Sequence, residues 1–196
     1  MILFFDTETT GFPDYNMPSA WEGQPHLVQL AALLTEDDGT ERASFNIIVE
    51  PDGYKIPDGA AKVHGISTEI AMRCGVPLSA AIWPFICLRS QASVIVAHNV
   101  KFDIAVMETA IARGPKRDYH PGPKDSYCTM EHAAEIVALP PTEKMKATGL
   151  GHKPKAPKLE EAYKHFFGTA PAEQHTALAD VRSCMAIYRK LKEIHA

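Results

Sequence analysis

Asp6 and Glu8 stand two residues apart at the end of the apolar run Ile2-Leu3-Phe4-Phe5. Side chains of an extended strand alternate with a period of two, so both carboxylates project from one face. Two such charges beside an apolar core are poorly hydrated and repel each other unless a cation lies between them. Strand ends also carry exposed acids with no such purpose, and the pair alone does not separate the two readings. Asp103 is a third candidate, four residues past Asn99, the expected N-cap of a helix that follows the apolar stretch Val94-Ile95-Val96-Ala97. A helix dipole favours an anion there by itself, yet the segment also starts at a strand end, where open α/β sheets place their sites. His175 and Asp180 are five residues apart, a rotation of about 140° on one helix. They converge only if His175 lies in the loop before the helix and Asp180 within it; an exposed histidine and a solvated aspartate are the plain alternatives.

Taken together, Asp6, Glu8, Asp103 and Asp180 are four acids at the ends or starts of core elements, with a histidine close by. Oxygen ligands without sulfur select Mg²⁺ or Mn²⁺ over zinc, and carboxylate clusters hold such ions in pairs about 3.5–4 Å apart for phosphoryl chemistry. One ion generates hydroxide, the other stabilises the leaving oxygen, and a nearby histidine can serve as general base. The four cysteines, Cys74, Cys87, Cys128 and Cys184, have neither zinc-site spacing nor the pattern of a disulfide scaffold, and are read as reduced thiols.

The elements that must position these residues follow from hydrophobic patterning. Residues 2–5 read as a strand buried on both faces. Residues 27–34 fit helix or strand, but the Asp-Gly signal at 38–39 and the β-forming 45–49 beyond it predict a three-stranded meander. Helices are expected near 59–64, 67–73 and 78–90, then a strand at 94–97 and a helix from Asn99 to the Gly114-Pro115 stop. A strand at 125–128 and a helix at 129–137 come next, then a loop over 139–157, and last a helix over about 176–194 with apolar residues at three- and four-residue steps. Strands first, then alternating helix and strand, imply an α/β layered fold with a mixed sheet.

The segments Asp6-Thr7-Glu8-Thr9-Thr10-Gly11, His98-Asn99-Val100-Lys101-Phe102-Asp103 and His175-Thr176-Ala177-Leu178-Ala179-Asp180 resemble the three motifs of the DEDDh 3′–5′ exonucleases, in order and at compatible spacing. Val63-His64-Gly65-Ile66 is similar to a segment common between the first two motifs. That superfamily includes the proofreading subunit of bacterial replicative DNA polymerase. The tyrosine branch places Tyr where this chain has Thr176, so His175 points to the histidine branch.

The resemblance implies a ribonuclease H-like fold, with a mixed five-stranded sheet flanked by helices, and a single exonuclease domain over residues 1–196. It implies that Asp6, Glu8 and Asp180 bind the ion that activates water, with Asp6 bridging to a second ion held by Asp103 through water. Two Mg²⁺ or Mn²⁺ ions are the implied cofactors. His175 would take the proton from the attacking water. Backbone groups near Thr7, the Thr9 side chain, His98 and Phe102 would contact the terminal nucleotide, although Phe102 serves equally well as core. The implied partner is a nucleic acid 3′ end, DNA in preference to RNA, with a DNA polymerase as a protein partner.

Two features depart from the family pattern. Gln29 stands where many relatives carry an acid, and residues 12–25 form a longer loop rich in Pro and aromatics. Phe12, Tyr15 and Trp21 could stack on an unpaired base or pack on the sheet. The 139–158 stretch carries Lys144, Lys146, Lys153, Lys155 and Lys158 against Glu143, and is either a guide for the DNA backbone or a solvated mobile loop.

The chain of 196 residues has 45% hydrophobic residues, enough for one stable core, and 20 basic against 24 acidic residues gives a net charge of −4. That balance excludes a histone-like binder of bulk DNA. With the four candidate ligands set aside, the remaining charge is about zero. No signal peptide is read at the N-terminus and no apolar run reaches the roughly 20 residues of a membrane span, so a soluble, cytoplasmic chain is expected. The expected activity is release of nucleoside 5′-monophosphates from 3′ ends of single-stranded or frayed DNA. RNA trimming, a noncatalytic polymerase-associated module on the same fold and a small-molecule phosphatase are the alternatives; filled catalytic positions argue against the module, and the lack of phosphate-cradling glycine loops against the phosphatase.

Overall fold

The computed structural model describes residues 1–114, 124–171 and 176–195. Its elements are β1 (Ile2–Thr9), β2 (Leu27–Thr35), β3 (Glu41–Ile48), α1 (Asp58–His64), α2 (Thr68–Cys74), α3 (Leu78–Gln91), β4 (Val94–Ala97), α4 (Val100–Arg113), β5 (Asp125–Cys128), α5 (Thr129–Val137), α6 (Glu143–Ala147), α7 (Leu159–Phe167) and α8 (Ala177–Ile194). The strands form a five-stranded sheet in the order β3-β2-β1-β4-β5. β1, β2 and β3 are antiparallel neighbours, whereas β4 pairs parallel to β1 and β5 parallel to β4. This is the expected mixed five-stranded sheet flanked by helices.

Alternation along β1 and β2 divides the core between the two faces of the sheet. Leu3, Phe5, Ala32 and Leu34 pack with Ile82 and Phe85 of α3 and Val106 and Ala110 of α4. Ile2, Phe4, Ala31 and Leu33 pack with Ala177, Val181 and Cys184 of α8. β2 is buried at every position, which explains why its sequence is apolar on both faces apart from the buried Gln29 and Thr35. Each large side chain so buried contributes roughly 1.5–3 kcal/mol. The β2–β3 turn closes through Gly39, at φ 89°, where an added Cβ would lie 2.6 Å from the Arg189 guanidinium. The positive φ favours glycine there, whereas the end of the Arg189 side chain could shift aside.

Three expectations are corrected. Asn99 does not cap α4 with its side chain: it adopts a left-handed conformation, φ 78° and ψ 49°, and makes no cap hydrogen bond. A sharp reversal from β4 into α4 takes up that position, and Asn tolerates it better than most residues. The 139–157 stretch is not all loop, because α6 forms behind Thr142, whose hydroxyl accepts the Met145 N–H. α7 was not anticipated; Glu161 accepts the Lys158 N–H at its start, and Ala162 and Phe166 pack with Ile187 and Leu191 of α8. No helix among the described residues is long and apolar enough to cross a membrane.

Candidate active site

β1 pairs with β4 only from Ile2 to Phe4, so the stretch Asp6 to Thr9 runs on past the last parallel partner. On the α8 face of this stretch stand Asp6 and Glu8, opposite Ala31 and Gln29 of β2. α8 lies against the same face through Ala177, Val181 and Cys184, a step of four and then three residues. Asp180 precedes Val181 and is turned from it by about 100°. Carboxylate oxygens of Asp6, Glu8 and Asp180 lie within 4.8 Å of one another.

Asp103, in the first turn of α4, reaches the same end of the sheet from the other side and is only 2% exposed. Its Oδ1 accepts both the Thr7 backbone N–H, at 3.0 Å, and the Thr7 hydroxyl, at 2.8 Å. The N–H that β4 leaves unpaired is thus satisfied by a carboxylate, which in turn is held rigidly. Thr7 points away from Asp6 and Glu8 and acts as the anchor of Asp103; its hydroxyl and N–H are both committed there.

Crowding of the acids is expressed in their protonation. Burial, then Asp103, Glu8 and Asp180, hold Asp6 well above the usual carboxylate range. Burial and Asp180 push Glu8 up to about 7. Burial also raises Asp103, against the opposing effect of the two Thr7 hydrogen bonds. Among the described residues no lysine or arginine pairs with Asp6, Glu8 or Asp103. Converging oxygens and their mutual repulsion fit a divalent metal ion. Sulfur does not join the set: burial raises the Cys184 thiol, which stays protonated and contacts the Thr129 hydroxyl at 3.5 Å.

The expected substrate residues divide. His98 is turned inward, with Nε2 3.0 Å from the Pro157 carbonyl and Nδ1 2.9 Å from the Thr129 hydroxyl. A carbonyl only accepts, so Nε2 carries the proton and Nδ1 accepts from Thr129. Burial holds the ring neutral by lowering its pKa to about 4. Both ring nitrogens are therefore taken, and the expected substrate contact becomes a pin between the β4 end, α5 and the lysine-bearing segment. Thr9 also turns to its own chain, donating to the Gly11 carbonyl at 2.6 Å. Phe102 does face the rim, edge to face with Phe12 at 6.2 Å, and Phe12 is 90% exposed. His175 lies outside the described residues.

Sequence reasoning missed what shapes the 12–25 loop. Gln24 is buried and donates to the carbonyls of Asp14 and Met17 while accepting the Asp14 N–H. Arg113, the last residue of α4, donates to the carbonyls of Trp21, Glu22, Gln24 and Pro25. Trp21 folds back over Gly23, where an added Cβ would meet its ring at 2.3 Å. Tyr15 instead carries Lys101 Nζ over its ring at 4.9 Å. Nothing in the local pattern around Gln24 or Arg113 signals these long-range contacts.

Comparison with known proteins agrees with this geometry. A family model described as "Exonuclease" matches residues 3–188. No curated protein sequence matches significantly. Among solved structures, the zinc-bound complex of Escherichia coli exonuclease I with single-stranded DNA superposes with a TM-score of 0.71 at 21% identity, covering 98% of this chain and 40% of that one. Exonuclease I of Methylocaldum szegediense gives 0.68 at 19% identity over the same shares. A product-bound exonuclease I gives 0.71 at 20% identity, with 98% and 43% covered. This chain therefore spans about two fifths of the length of those proteins.

Proposed function

The chain belongs to the DEDD 3′–5′ exonuclease superfamily, and from that premise we propose that it removes nucleoside 5′-monophosphates stepwise from the 3′ ends of single-stranded or frayed DNA. The observation that carries the proposal is the meeting of Asp6, Glu8 and Asp180 within 4.8 Å, with Asp103 fixed behind them by Thr7. Asp6, Glu8 and Asp180 would hold one Mg²⁺ or Mn²⁺ ion, and Asp6 with Asp103 a second. Such ions lower the pKa of water toward neutrality and offset charge on the leaving oxygen.

The protein residues supply the rest. His175, just ahead of α8, takes the proton of the attacking water; its role rests on its place five residues before Asp180. Phe12 and Phe102 offer an apolar rim for an unpaired base, which favours a single strand. Exonuclease I structures that superpose on this chain hold single-stranded oligonucleotides such as dA16, and this chain is proposed to act on the same class. A proofreading role beside a DNA polymerase in the cytoplasm extends the motif resemblance, and co-purification with polymerase activity tests it.

Degradation of 3′- and 5′-labelled single strands, duplexes and RNA, with and without Mg²⁺ or Mn²⁺, is the decisive experiment. Shortening from the 3′ end of DNA that requires the metal is expected. Asp6→Ala or Asp180→Ala should lower turnover by more than about a hundredfold, a loss that even outer partners of metal ligands approach. Undiminished turnover by either folded variant would overturn the assignment, and faster loss of RNA than DNA would reassign the substrate.

A further inference from the structure

A cavity of about 610 Å³, within the range of small-molecule sites, opens beside the anchor of the 12–25 loop. Leu27, Val49, Leu78 and Ala110 give it apolar walls. None of Asp6, Glu8, Asp103 and Asp180 lines it, and Arg113, which does, lies about 15 Å along α4 from Asp103. The His26 and Tyr54 rings that line it are stacked, with centroids 3.7 Å apart and planes 14° apart. The Tyr54 hydroxyl donates to the Leu27 carbonyl at 3.2 Å, which fixes this aromatic plate. Burial and then Arg113 lower His26 to about 4, so its ring is neutral.

The polar groups around the plate are short of partners. Among the described residues the His26 ring makes no hydrogen bond, and Arg113 commits Nη1 and Nη2 to carbonyls while its Nε stays unbonded. The Glu50 and Asp52 carboxylates, also in the lining, form no ion pair or hydrogen bond among the described residues. Burial pushes the Tyr54 hydroxyl up to about 12, Arg113 acting against this and Asp52 with it. A guanidinium and a carboxylate therefore both stand close to one aromatic plate.

That pattern narrows the ligand. Two carboxylates oppose an anion, and Arg113 opposes an organic cation. An apolar ring would leave all of these groups unpaired. A neutral, flat molecule with adjacent donors on one side and acceptors on another meets them. Guanine has this arrangement: N1–H and the N2 amino group match the two oxygens of a carboxylate, and O6 and N7 match a guanidinium. Adenine would turn its N1 acceptor on the carboxylate, and each pyrimidine base offers one donor group where guanine offers two.

We propose that this cavity is a second, noncatalytic site that binds a guanine base on the His26–Tyr54 plate, with Asp52 accepting from N1 and N2 and Arg113 donating to the O6 and N7 side. The site stands apart from the metal centre but bears on its substrate loop. His26 exchanges two backbone hydrogen bonds with Thr10, its N–H to the Thr10 hydroxyl at 2.8 Å and its carbonyl from the Thr10 N–H at 3.0 Å. Arg113 gathers the carbonyls of Trp21, Glu22, Gln24 and Pro25. An occupant in contact with both residues braces the loop that carries Phe12 and Tyr15.

Equilibrium dialysis of the full chain with radiolabelled guanosine, in chelator, tests the site without any cleavage step, so its outcome is separate from that of the exonuclease reading. Saturable uptake is expected. Unlabelled inosine, which lacks the N2 amino group, and adenosine should displace the label at least about tenfold less well than guanosine, the effect of one hydrogen bond to a charged group. Asp52→Ala, a change at an exposed position, should bind guanosine and inosine alike, whereas Glu50→Gln should keep the preference. No saturable uptake by wild type, equal displacement by all three nucleosides, or an unchanged preference in Asp52→Ala would each overturn the proposal. A dT oligonucleotide with one internal dG, set against an all-dT strand as competitor, separates the two sources of the base. Stronger displacement by the dG strand assigns the site to guanine within a strand, equal displacement assigns it to the free nucleoside, and both results uphold the site.

Discussion

Glu8 shows how the acids trade stability for a site. Its carboxyl is raised from an ordinary 4.5 to about 7 by burial and by Asp180. Below 4.5 the folded and unfolded chains both hold this proton, so it adds no pH dependence there. Between 4.5 and about 7 only the folded chain retains it, so metal-free stability falls as pH rises through this window and then levels off. Glu8→Gln removes the penalty. In chelator at pH 8 the variant should melt a few degrees above wild type, a gap that closes near pH 4.5, while its nuclease activity is lost. Added Mg²⁺ should reverse the order by binding the wild type. A variant that melts below wild type in chelator at pH 8 would contradict the argument. At this scale the acids were legible in the sequence, because a period of two and a strand end suffice to pair Asp6 with Glu8. Thr7 was not: its bond to Asp103 depends on where β4 stops pairing with β1, which no local pattern records.

Arg113 joins two elements that the sequence treats separately. It closes α4, whose first turn carries Asp103, and its guanidinium gathers four carbonyls of the loop that presents Phe12 and Tyr15. Arg113→Lys keeps the charge but loses the planar fork, so the loop loses most of its anchor. The expected result is a severalfold rise in KM for single-stranded DNA with kcat within about twofold, because the carboxylates are untouched. Limited proteolysis should cut the variant faster between residues 12 and 25. An unchanged KM would mean that the loop does not meet substrate. The β2–β3 turn could be read directly from its Asp-Gly signal, and it settled β2, whose own pattern fitted helix or strand. Helix starts were harder, since α4 begins after a left-handed Asn99 without a side-chain cap, and α7 shows its apolar stripe only against α8.

For the whole molecule, the sum of charges conceals its arrangement. The acidic excess of the sequence, −4, equals the four carboxylates of Asp6, Glu8, Asp103 and Asp180, whose charge bound metal would offset. Positive charge collects on the segment between α5 and α7. It is closed at its base by the Lys155 N–H to the Leu139 carbonyl at 3.0 Å, and fixed to the sheet by His98 at Pro157. This anchoring at both points sets it apart from the solvated loop allowed by composition. Lys146 pairs with Glu143 and Lys155 with Glu161, whereas Lys144, Lys153 and Lys158 form no ion pair among the described residues. If the last three meet phosphates, their joint replacement by Ala should flatten the dependence of log Kd on log salt by about 2, since each contact with a single strand contributes about 0.7. Lys146→Ala with Lys155→Ala should change it less, because their charges are already met by carboxylates. Binding is measured with Ca²⁺ in place of Mg²⁺ across a salt series. Equal slopes for wild type and the triple variant would remove this segment from the path of the strand, leaving the aromatic rim and the metal site as its contacts.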